Sequence, residues 1–149
     1  MQALRPVSLC LEVDCQFKVD FGSADSPSLT TDATPPLGRG RGPDSEMLLM
    51  AAVGNCLSAS LAFSLRKFKN EAVPLQASVA GRLAPNQQGR LRMHSISVII
   101  RLGAPAASLR LVERALAQYE DFCTVTQSVR VAIPVDVTVF DSEGTLLSS

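Results

Sequence analysis

One long apolar segment stands between stretches in which apolar and polar residues alternate. The segment Met47–Phe63 is preceded by Pro43-Asp44-Ser45, residue types that favour the start of a helix. No proline follows until Pro74, and cationic residues close the segment, as suits the negative end of a helix. The pattern predicts one helix over about 44–69, and its apolar first half indicates burial on every side.

Strict alternation of apolar and polar residues predicts three strand regions, at 7–21, 75–83 and 91–102. The first region is either one half-buried strand or two short strands separated by a bend. A loop at 85–89 joins the second and third regions as a hairpin. A further strand fragment is predicted at 28–31.

The last third of the chain predicts one more helix and one more strand. Apolar residues at three- and four-residue spacing favour a helix from about 105 to 122, which Cys123 ends. Ile133–Phe140 is predicted to be the final strand, followed by a turn and a tail that we expect to fray. This order of elements fits an α+β fold with segregated helices better than a doubly wound parallel sheet.

With 149 residues, the chain is long enough for one domain with a sizeable core, and we predict a single domain over 1–149. Residues 22–43 form a connector rich in Gly, Ser, Pro and Asp before the long helix. The connector carries Arg39 and Arg41. It is either a flexible solvated segment or the source of an arginine near Cys56.

Charge and targeting signals limit the expected partners. Basic and acidic residues number 14 each, so the chain has no net field that would recruit nucleic acid or an anionic membrane. The N-terminus lacks the basic region and apolar run of a signal peptide, which predicts a cytoplasmic location. The apolar segment is short for a membrane span and contains Gly54, Asn55, Ser58 and Ser60. We therefore expect a core helix rather than a transmembrane one.

The four cysteines, at positions 10, 15, 56 and 123, are expected to be free or catalytic, because no export signal precedes them. Cys10 and Cys15 fall on opposite faces of the first strand region and are interpreted as structural. His94 shares a face with Ile96 and is interpreted as a structural residue rather than a base. A single histidine and the lack of CxxC or HExxH spacing predict no metal site, and we expect no cofactor.

Cys56 is the candidate reaction centre, because it follows Gly54-Asn55 inside the long helix. Glycine in a helix interior costs about 1 kcal/mol relative to alanine, which indicates the close approach of another element. If the two predicted helices pack together, Cys123 could capture a sulfenic acid on Cys56 as a disulfide. Buried free cysteines are also common as small apolar residues, so an inert role stays open.

Several segments together resemble one known family, and two of them hold cysteines 67 residues apart. They are Phe17–Phe21, Pro35–Gly38, Gly42–Leu49, Ala51–Cys56, Cys123–Val129 and Ile133–Val135. This pattern is similar to the OsmC/Ohr family, the osmotically inducible and organic hydroperoxide resistance proteins, over about residues 17–140. The resemblance implies an α+β homodimer of interwoven chains, in which antiparallel sheets wrap around central helices.

The resemblance also implies thiol-dependent reduction of organic hydroperoxides by a dithiol reductant, possibly of the lipoyl type. Cys56 would be the peroxidatic thiol and Cys123 the resolving one. Glu46 matches the glutamate that orients an arginine toward the thiol. Because ten helical residues rise about 15 Å, either the helix breaks or Glu46 serves Cys56 of the partner subunit, which we favour.

The chain departs from the family pattern at two places. Residues 6–38 contain no arginine, where peroxidase members carry their catalytic arginine, so Arg39 and Arg41 are the candidates to activate the thiol. Thr124 stands where a proline usually follows the second cysteine. The resemblance is therefore closer to the broad OsmC-like branch.

The predicted function is a thiol peroxidase with an apolar pocket lined by Met47, Met50, Phe63 and Phe122. Two alternatives stay open. One is a non-catalytic OsmC-like dimer that senses redox state or binds a small apolar molecule. The other is a structural domain with inert thiols.

Overall fold

The computed structural model describes residues 3–149. It divides into two compact units, one ending at Leu49 and the other running Met50–Ser149, with the boundary inside the long helix. The described residues form two β-sheets together with α-helices, which confirms the predicted α+β class. The single domain and the interwoven dimer stay predictions.

The first unit holds a three-stranded antiparallel sheet in the order β1-β2-β3. Its strands are β1 (Ser8–Val13), β2 (Gln16–Asp20) and β3 (Leu29–Thr31). The predicted first region is thus two strands joined by a tight turn, and the strand fragment near 28–31 is confirmed. β1 is exposed along its whole length, so the predicted half-burial is wrong for that strand.

The long helix α1 runs without interruption over Ser45–Lys67, close to the predicted bounds. The Asp44 side chain caps it by accepting a hydrogen bond from the Met47 backbone N–H at 2.8 Å. An uninterrupted helix rules out a break between Glu46 and Cys56.

The prediction that α1 is buried on every side is wrong, because its buried residues form one stripe along the helix. They are Val53, Gly54, Leu57, Leu61, Ser64 and Leu65. By length and composition alone, α1 is the one helix within residues 3–149 that could cross a membrane, and a third of its most apolar window is buried inside the chain.

The second unit contains a four-stranded sheet in the order β4-β5-β6-β7. Its strands are β4 (Gln76–Pro85), β5 (Leu91–Arg101), β6 (Val135–Phe140) and β7 (Leu146–Ser148). The β4–β5 hairpin is confirmed, β6 pairs with β5 in parallel, and the other pairs are antiparallel. The C-terminal tail forms β7 against β6 instead of fraying.

Alternate residues of β5 and β6 form the core of this unit, as the alternation predicted. They are Ile96, Val98, Ile100, Val135, Val137 and Val139. His94 does not share their face, because the β4–β5 register shifts between Arg82 and Leu83. Met93 is buried in its place and His94 is exposed.

The prediction of one helix over 105–122 is wrong. The segment contains a 3₁₀ turn at Ala106–Ser108, α2 (Val112–Leu116) and a second 3₁₀ turn at Tyr119–Phe122, and α3 (Thr124–Val129) follows. Cys123 therefore precedes a helix instead of ending one.

The close approach predicted at Gly54 is confirmed. A Cβ atom at Gly54 would lie 2.5 Å from Cγ2 of Val79 on β4. Since side chains do not approach that closely, glycine at this position lets α1 pack directly against the sheet.

Candidate functional site

Two free thiols lie next to each other in the second unit. Cys56 is in the middle of α1 and is partly exposed, whereas Cys123 is the N-cap residue of α3 and is 0% exposed. The Cys56 thiol is close enough to raise the pKa of Cys123. The structure thus brings together the two cysteines that the sequence analysis singled out.

The surroundings of Cys123 favour its protonated form. Burial is the largest cause that raises the pKa of this thiol, and the neighbouring Cys56 raises it further. The hydroxyl of Thr126 opposes both, with its Oγ1 2.8 Å from the Cys123 Sγ. Cys123 is therefore a buried thiol with one hydroxyl partner.

Three polar side chains in the segment around Cys123 were not identified from the sequence. Tyr119 is 1% exposed, and its buried hydroxyl lies beside the Glu120 carboxylate. Burial, followed by the Glu120 carboxylate, raises the pKa of Tyr119. Glu120 forms an ion pair with Arg130, which also donates to the Val135 carbonyl at 3.0 Å.

The sequence carried only an indirect signal for Tyr119. Ala115, Tyr119 and Cys123 recur at four-residue spacing, a pattern that predicts an apolar helix face, and all three are buried. No local pattern indicated Thr126, because its importance comes from its position one turn after Cys123 in α3.

An apolar groove of about 600 Å³ follows the face of α1 that carries Cys56. It is lined by Ala59, Ser60, Phe63, Ser64, Lys67, Gln118 and Phe122. Ser60 and Phe63 are four and seven residues after Cys56, so they lie on the same side of the helix. Two of the predicted pocket residues, Phe63 and Phe122, thus line one groove.

The two predicted methionines are placed differently. A Cβ atom at Gly81 would lie 2.8 Å from the sulfur atoms of both Met50 and Met93, so Met50 packs over β4 next to Met93. Met47 is 49% exposed in the first turn of α1. Neither methionine is among the seven residues that line the groove.

The arginines of the connector lie in the first unit. The Arg39 guanidinium pairs with the Asp14 carboxylate at 3.0 Å, and both side chains are about half exposed (54% and 50%). The backbone N–H groups of Arg39 and Arg41 donate to the Asp32 carboxylate at 3.0 and 3.1 Å. These bonds, that of Arg41 first, hold the pKa of Asp32 below its usual value. The connector is therefore fixed at this point by Asp32.

Glu46 is exposed in the first turn of α1 and forms no ion pair within the described part of the chain. It lines a cleft of about 200 Å³ in the first unit, together with Cys15 and Asp44. Cys10 is exposed on β1 and Cys15 is partly exposed. The activating roles of Glu46, Arg39 and Arg41 stay predictions.

No group of three or more His, Cys, Asp or Glu side chains within residues 3–149 is arranged to hold a metal ion.

Solved structures share this fold. An OsmC-like protein from Mycoplasma pneumoniae is 14% identical with a TM-score of 0.77, over 95% of this chain and 99% of that chain. An organic hydroperoxide resistance protein OsmC from Legionella pneumophila is 14% identical with a TM-score of 0.68, over 93% and 98%. An organic hydroperoxide resistance protein from Elizabethkingia anophelis is 15% identical with a TM-score of 0.68, over 95% and 100%. At such identities the likeness establishes the fold alone.

Sequence comparison identifies the family. A search of curated proteins gave no match. The family model described as OsmC-like protein matches residues 38–138, which is more than half of the chain and includes both Cys56 and Cys123. The chain belongs to the OsmC-like family.

Proposed function

We propose that this chain is a thiol-dependent peroxidase that reduces organic hydroperoxides with Cys56 and Cys123. The observation that carries the proposal is the placement of these two free thiols as neighbours in the second unit. Family membership supports it, as do the organic hydroperoxide resistance proteins among the structures with the same fold.

The proposed cycle has three steps. The Cys56 thiolate attacks one oxygen of the hydroperoxide, the O–O bond breaks, and Cys56 becomes a sulfenic acid while an alcohol leaves. Cys123 then attacks the Cys56 sulfur, forming an S–S bond and releasing the oxygen as water. A dithiol reductant, which we infer to be of the lipoyl type from the family resemblance, reopens the disulfide by two thiol–disulfide exchanges.

The different burial of the two thiols supports this assignment of roles. Cys56 is partly exposed and lies one helical turn before Ser60, which lines the groove, so a hydroperoxide would reach it first. Cys123 is fully buried and its pKa is raised, so it stays a thiol until the neighbouring sulfur is oxidised. A resolving cysteine needs this protection, because oxidation of both thiols by peroxide would prevent the disulfide.

The groove supports an organic substrate. Its walls include the aromatic rings of Phe63 and Phe122, and Ser60 at its wall is one helical turn from Cys56. An alkyl or aryl group bound there gains affinity from apolar contact, which hydrogen peroxide lacks. We therefore infer a preference for organic hydroperoxides over hydrogen peroxide.

We also propose that the active form is a homodimer. Leu9 and Leu11 on β1 are 61% and 56% exposed, and Phe63 on α1 is 71% exposed. Leu9 and Leu11 are two positions apart on β1 and share one face, and exposed apolar side chains that lie together mark a contact surface. In the dimer, Glu46 would serve Cys56 of the partner subunit, and Arg39 or Arg41 would stabilise the Cys56 thiolate. Light scattering after size-exclusion chromatography tests the dimer, and a mass of one chain at all concentrations would contradict it.

Thiol counting tests the peroxidase in a Cys10→Ser/Cys15→Ser protein, which keeps only the two candidate thiols. One equivalent of cumene hydroperoxide should remove both thiols within minutes and form one intramolecular disulfide. Cys56→Ser should abolish the reaction, whereas Cys123→Ser should stop it at the sulfenic acid. Dihydrolipoamide should restore both thiols and sustain turnover.

Other outcomes separate the alternatives. Stoichiometric oxidation that no dithiol reverses would favour a redox sensor over an enzyme. Thiols that persist for hours in excess hydroperoxide would leave only a structural role.

A further inference from the structure

Cys123 lies between two short helical segments, and backbone hydrogen bonds hold it on both sides. The 3₁₀ turn Tyr119–Phe122 precedes it, and α3 (Thr124–Val129) follows it. The Cys123 N–H donates to the Glu120 carbonyl at 3.1 Å, and the Gln127 N–H donates to the Cys123 carbonyl at 2.9 Å. Helices shorter than about 12 residues are marginal in water without tertiary contacts. The position of Cys123 therefore depends on contacts other than these two backbone hydrogen bonds.

One ion pair joins the two segments on either side of Cys123. The Glu120 carboxylate in the 3₁₀ turn pairs with the guanidinium of Arg130, the C-cap residue of α3. Gln127 in α3 adds a second connection, because its side-chain amide donates to the Glu120 carbonyl at 3.1 Å. Glu120 and Arg130 are ten positions apart, so the ion pair closes a loop of the chain that contains Cys123.

Both ends of this loop are attached to the core of the second unit. The guanidinium nitrogen that pairs with Glu120 also donates to the Val135 carbonyl at 3.0 Å, and Val135 is the first residue of β6. β6 lies between β5 and β7 in the four-stranded sheet. At the other end, Tyr119 is 1% exposed and its hydroxyl lies beside the Glu120 carboxylate. The Glu120–Arg130 pair therefore fixes the loop relative to the sheet.

The exposure of the pair indicates what it contributes. The side chains of Arg130 and Glu120 are 31% and 30% exposed. Ion pairs with this exposure add little to the free energy of unfolding, because water screens the two charges and ordering both side chains costs entropy. The pair still restricts where the loop can lie, so its effect should appear in the placement of Cys123 more than in the stability of the fold.

We propose that Glu120 and Arg130 are positioning residues that hold the Cys123 thiol next to Cys56 for disulfide closure. The role in the cycle rests on the proposed function, because closure follows oxidation of Cys56 to the sulfenic acid. In that step the Cys123 sulfur bonds to the Cys56 sulfur and the Cys56 S–O bond breaks. The oxygen leaves as water, with its own proton and the proton of Cys123. Two groups held side by side react faster than two groups that must first find each other.

Exchange with glutathione measures this placement without any hydroperoxide. Oxidised glutathione converts the two protein thiols to one disulfide and releases two molecules of reduced glutathione, and the equilibrium constant gives the effective concentration of one thiol at the other. In a Cys10→Ser/Cys15→Ser background, Glu120→Gln should lower this effective concentration about tenfold, because the loop is then free to move. Arg130→Gln should lower it at least as much. Adding Glu120→Gln to Arg130→Gln should have no further effect, because the ion pair is already broken.

The peroxide cycle provides a second readout. With cumene hydroperoxide, Glu120→Gln should form the sulfenic acid on Cys56 at the rate of the parent protein and close the disulfide about tenfold more slowly. Dimedone trapping with mass spectrometry should therefore show more sulfenic acid in the variant. Arg130→Lys keeps the charge and the ability to donate hydrogen bonds, so it should restore most of the closure rate that Arg130→Gln loses.

Two control variants separate placement from charge and from stability. Glu113→Gln makes the same change at an exposed position of α2, outside the ion pairs of the described residues, and should leave the effective concentration unchanged. Asp141→Asn removes a buried carboxylate that binds the backbone N–H of Ala106, so it should lower the urea midpoint without changing the effective concentration. Glu120→Gln should do the reverse.

The outcomes distinguish this inference from the proposed function. An effective concentration in Glu120→Gln equal to those of the parent and Glu113→Gln overturns the positioning role and leaves the peroxidase intact. A further loss on combining Glu120→Gln with Arg130→Gln also overturns it, since the two residues would then act separately. A parent protein that forms a disulfide with glutathione but no sulfenic acid with hydroperoxide overturns the peroxidase alone. If Arg130→Gln fails to fold, the comparison of Glu120→Gln with Glu113→Gln still decides.

Discussion

The Cys123 Sγ lies 2.8 Å from the Thr126 Oγ1, and both residues are completely buried. Thr126 lies three residues after Cys123, so the first turn of α3 sets this contact. A hydroxyl that bonds to a buried sulfur stabilises its ionised form and offsets part of the effect of burial. Thr126 therefore determines how readily Cys123 can act as a nucleophile.

Replacing Thr126 with valine should raise the pKa of Cys123 and slow disulfide closure. Valine keeps the volume of threonine and removes the hydroxyl, and losing this hydrogen bond should lower the free energy of unfolding by about 1 kcal/mol. Titration of thiolate absorbance in a background with Cys123 as the only cysteine measures the pKa. Thr126→Ser should behave like the parent protein, and Thr124→Val, at an exposed position of α3, should have little effect. Equal titration curves for the Thr126→Val and Thr126→Ser proteins would contradict this role.

Removing the neighbouring thiol should have the opposite effect on Cys123. Cys56 raises the pKa of Cys123, so Cys56→Ala should lower that pKa, although burial will keep it above its usual value. Thiolate absorbance against pH measures the change in a Cys10→Ser/Cys15→Ser protein. A Cys123 titration that is the same with and without Cys56 would show that the two thiols are not coupled.

The sequence predicted α1, the β4–β5 hairpin and the inward residues of β6, because each of these follows from a local pattern. It failed over 105–122, where distant residues bind the backbone. The Asn70 side chain donates to the Arg110 carbonyl at 2.8 Å and accepts from the Arg110 N–H at 2.7 Å. These bonds occupy groups that a helix would need, and the next residue, Leu111, adopts a left-handed conformation with φ 49°.

The sequence predicted only part of the candidate site, again because long-range contacts determine the rest. The apolar spacing correctly marked Tyr119 and Cys123 as buried, although no continuous helix connects them. The hydroxyl of Ser64 on α1 donates to the Ala115 carbonyl at 2.9 Å, another contact between residues 51 positions apart. Burial follows from the order of apolar residues, whereas the polar surroundings of a thiol depend on such long-range contacts.

Gly54→Ala should destabilise the fold even though alanine favours helices by about 1 kcal/mol over glycine. The new methyl group would clash with Val79, and overpacking of this kind typically costs about 1–3 kcal/mol. Urea unfolding should therefore show a lower midpoint. Val79→Ala removes the clashing atom, so adding Gly54→Ala in that background should be neutral or stabilising. If Gly54→Ala alone raises the midpoint, the contact between α1 and β4 leaves room for a methyl group, and the predicted clash is wrong.

Arg39 and Arg41 can be tested by the reactivity of Cys56 toward iodoacetamide across pH. If either guanidinium stabilises the thiolate, its replacement by alanine should move the reactivity profile of Cys56 to higher pH. The background should lack Cys10 and Cys15, and Arg90→Ala, at the exposed β4–β5 loop, is the control. Superimposable profiles for both variants and the parent would remove both arginines from the mechanism.

Asp141→Asn should destabilise the protein at neutral pH, and the difference should vanish in acid. The Asp141 carboxylate is 2% exposed and accepts hydrogen bonds from the backbone N–H groups of Ala106, Glu143 and Thr145 at 3.0, 2.9 and 2.7 Å. These bonds, that of Ala106 first, hold the pKa of Asp141 below its usual value of 3.8. A carboxyl whose pKa is lowered on folding stabilises the protein above its unfolded pKa, and this contribution is lost as the pH falls through the lower folded value.

Urea unfolding from about pH 7 to about pH 2 measures this dependence. The parent and the Asp141→Asn variant should differ most at neutral pH and converge below the usual aspartate pKa, because the parent carboxyl is then protonated as well. Asp136→Asn, at an exposed position of β6, should give a small difference at neutral pH. If the difference in the free energy of unfolding between the parent and Asp141→Asn stays constant down to the lowest pH, the shape of the Asp141 side chain rather than its charge stabilises the protein. The bond to Ala106 joins the β6–β7 turn to a segment 35 residues away, so loss of the charge should loosen both together.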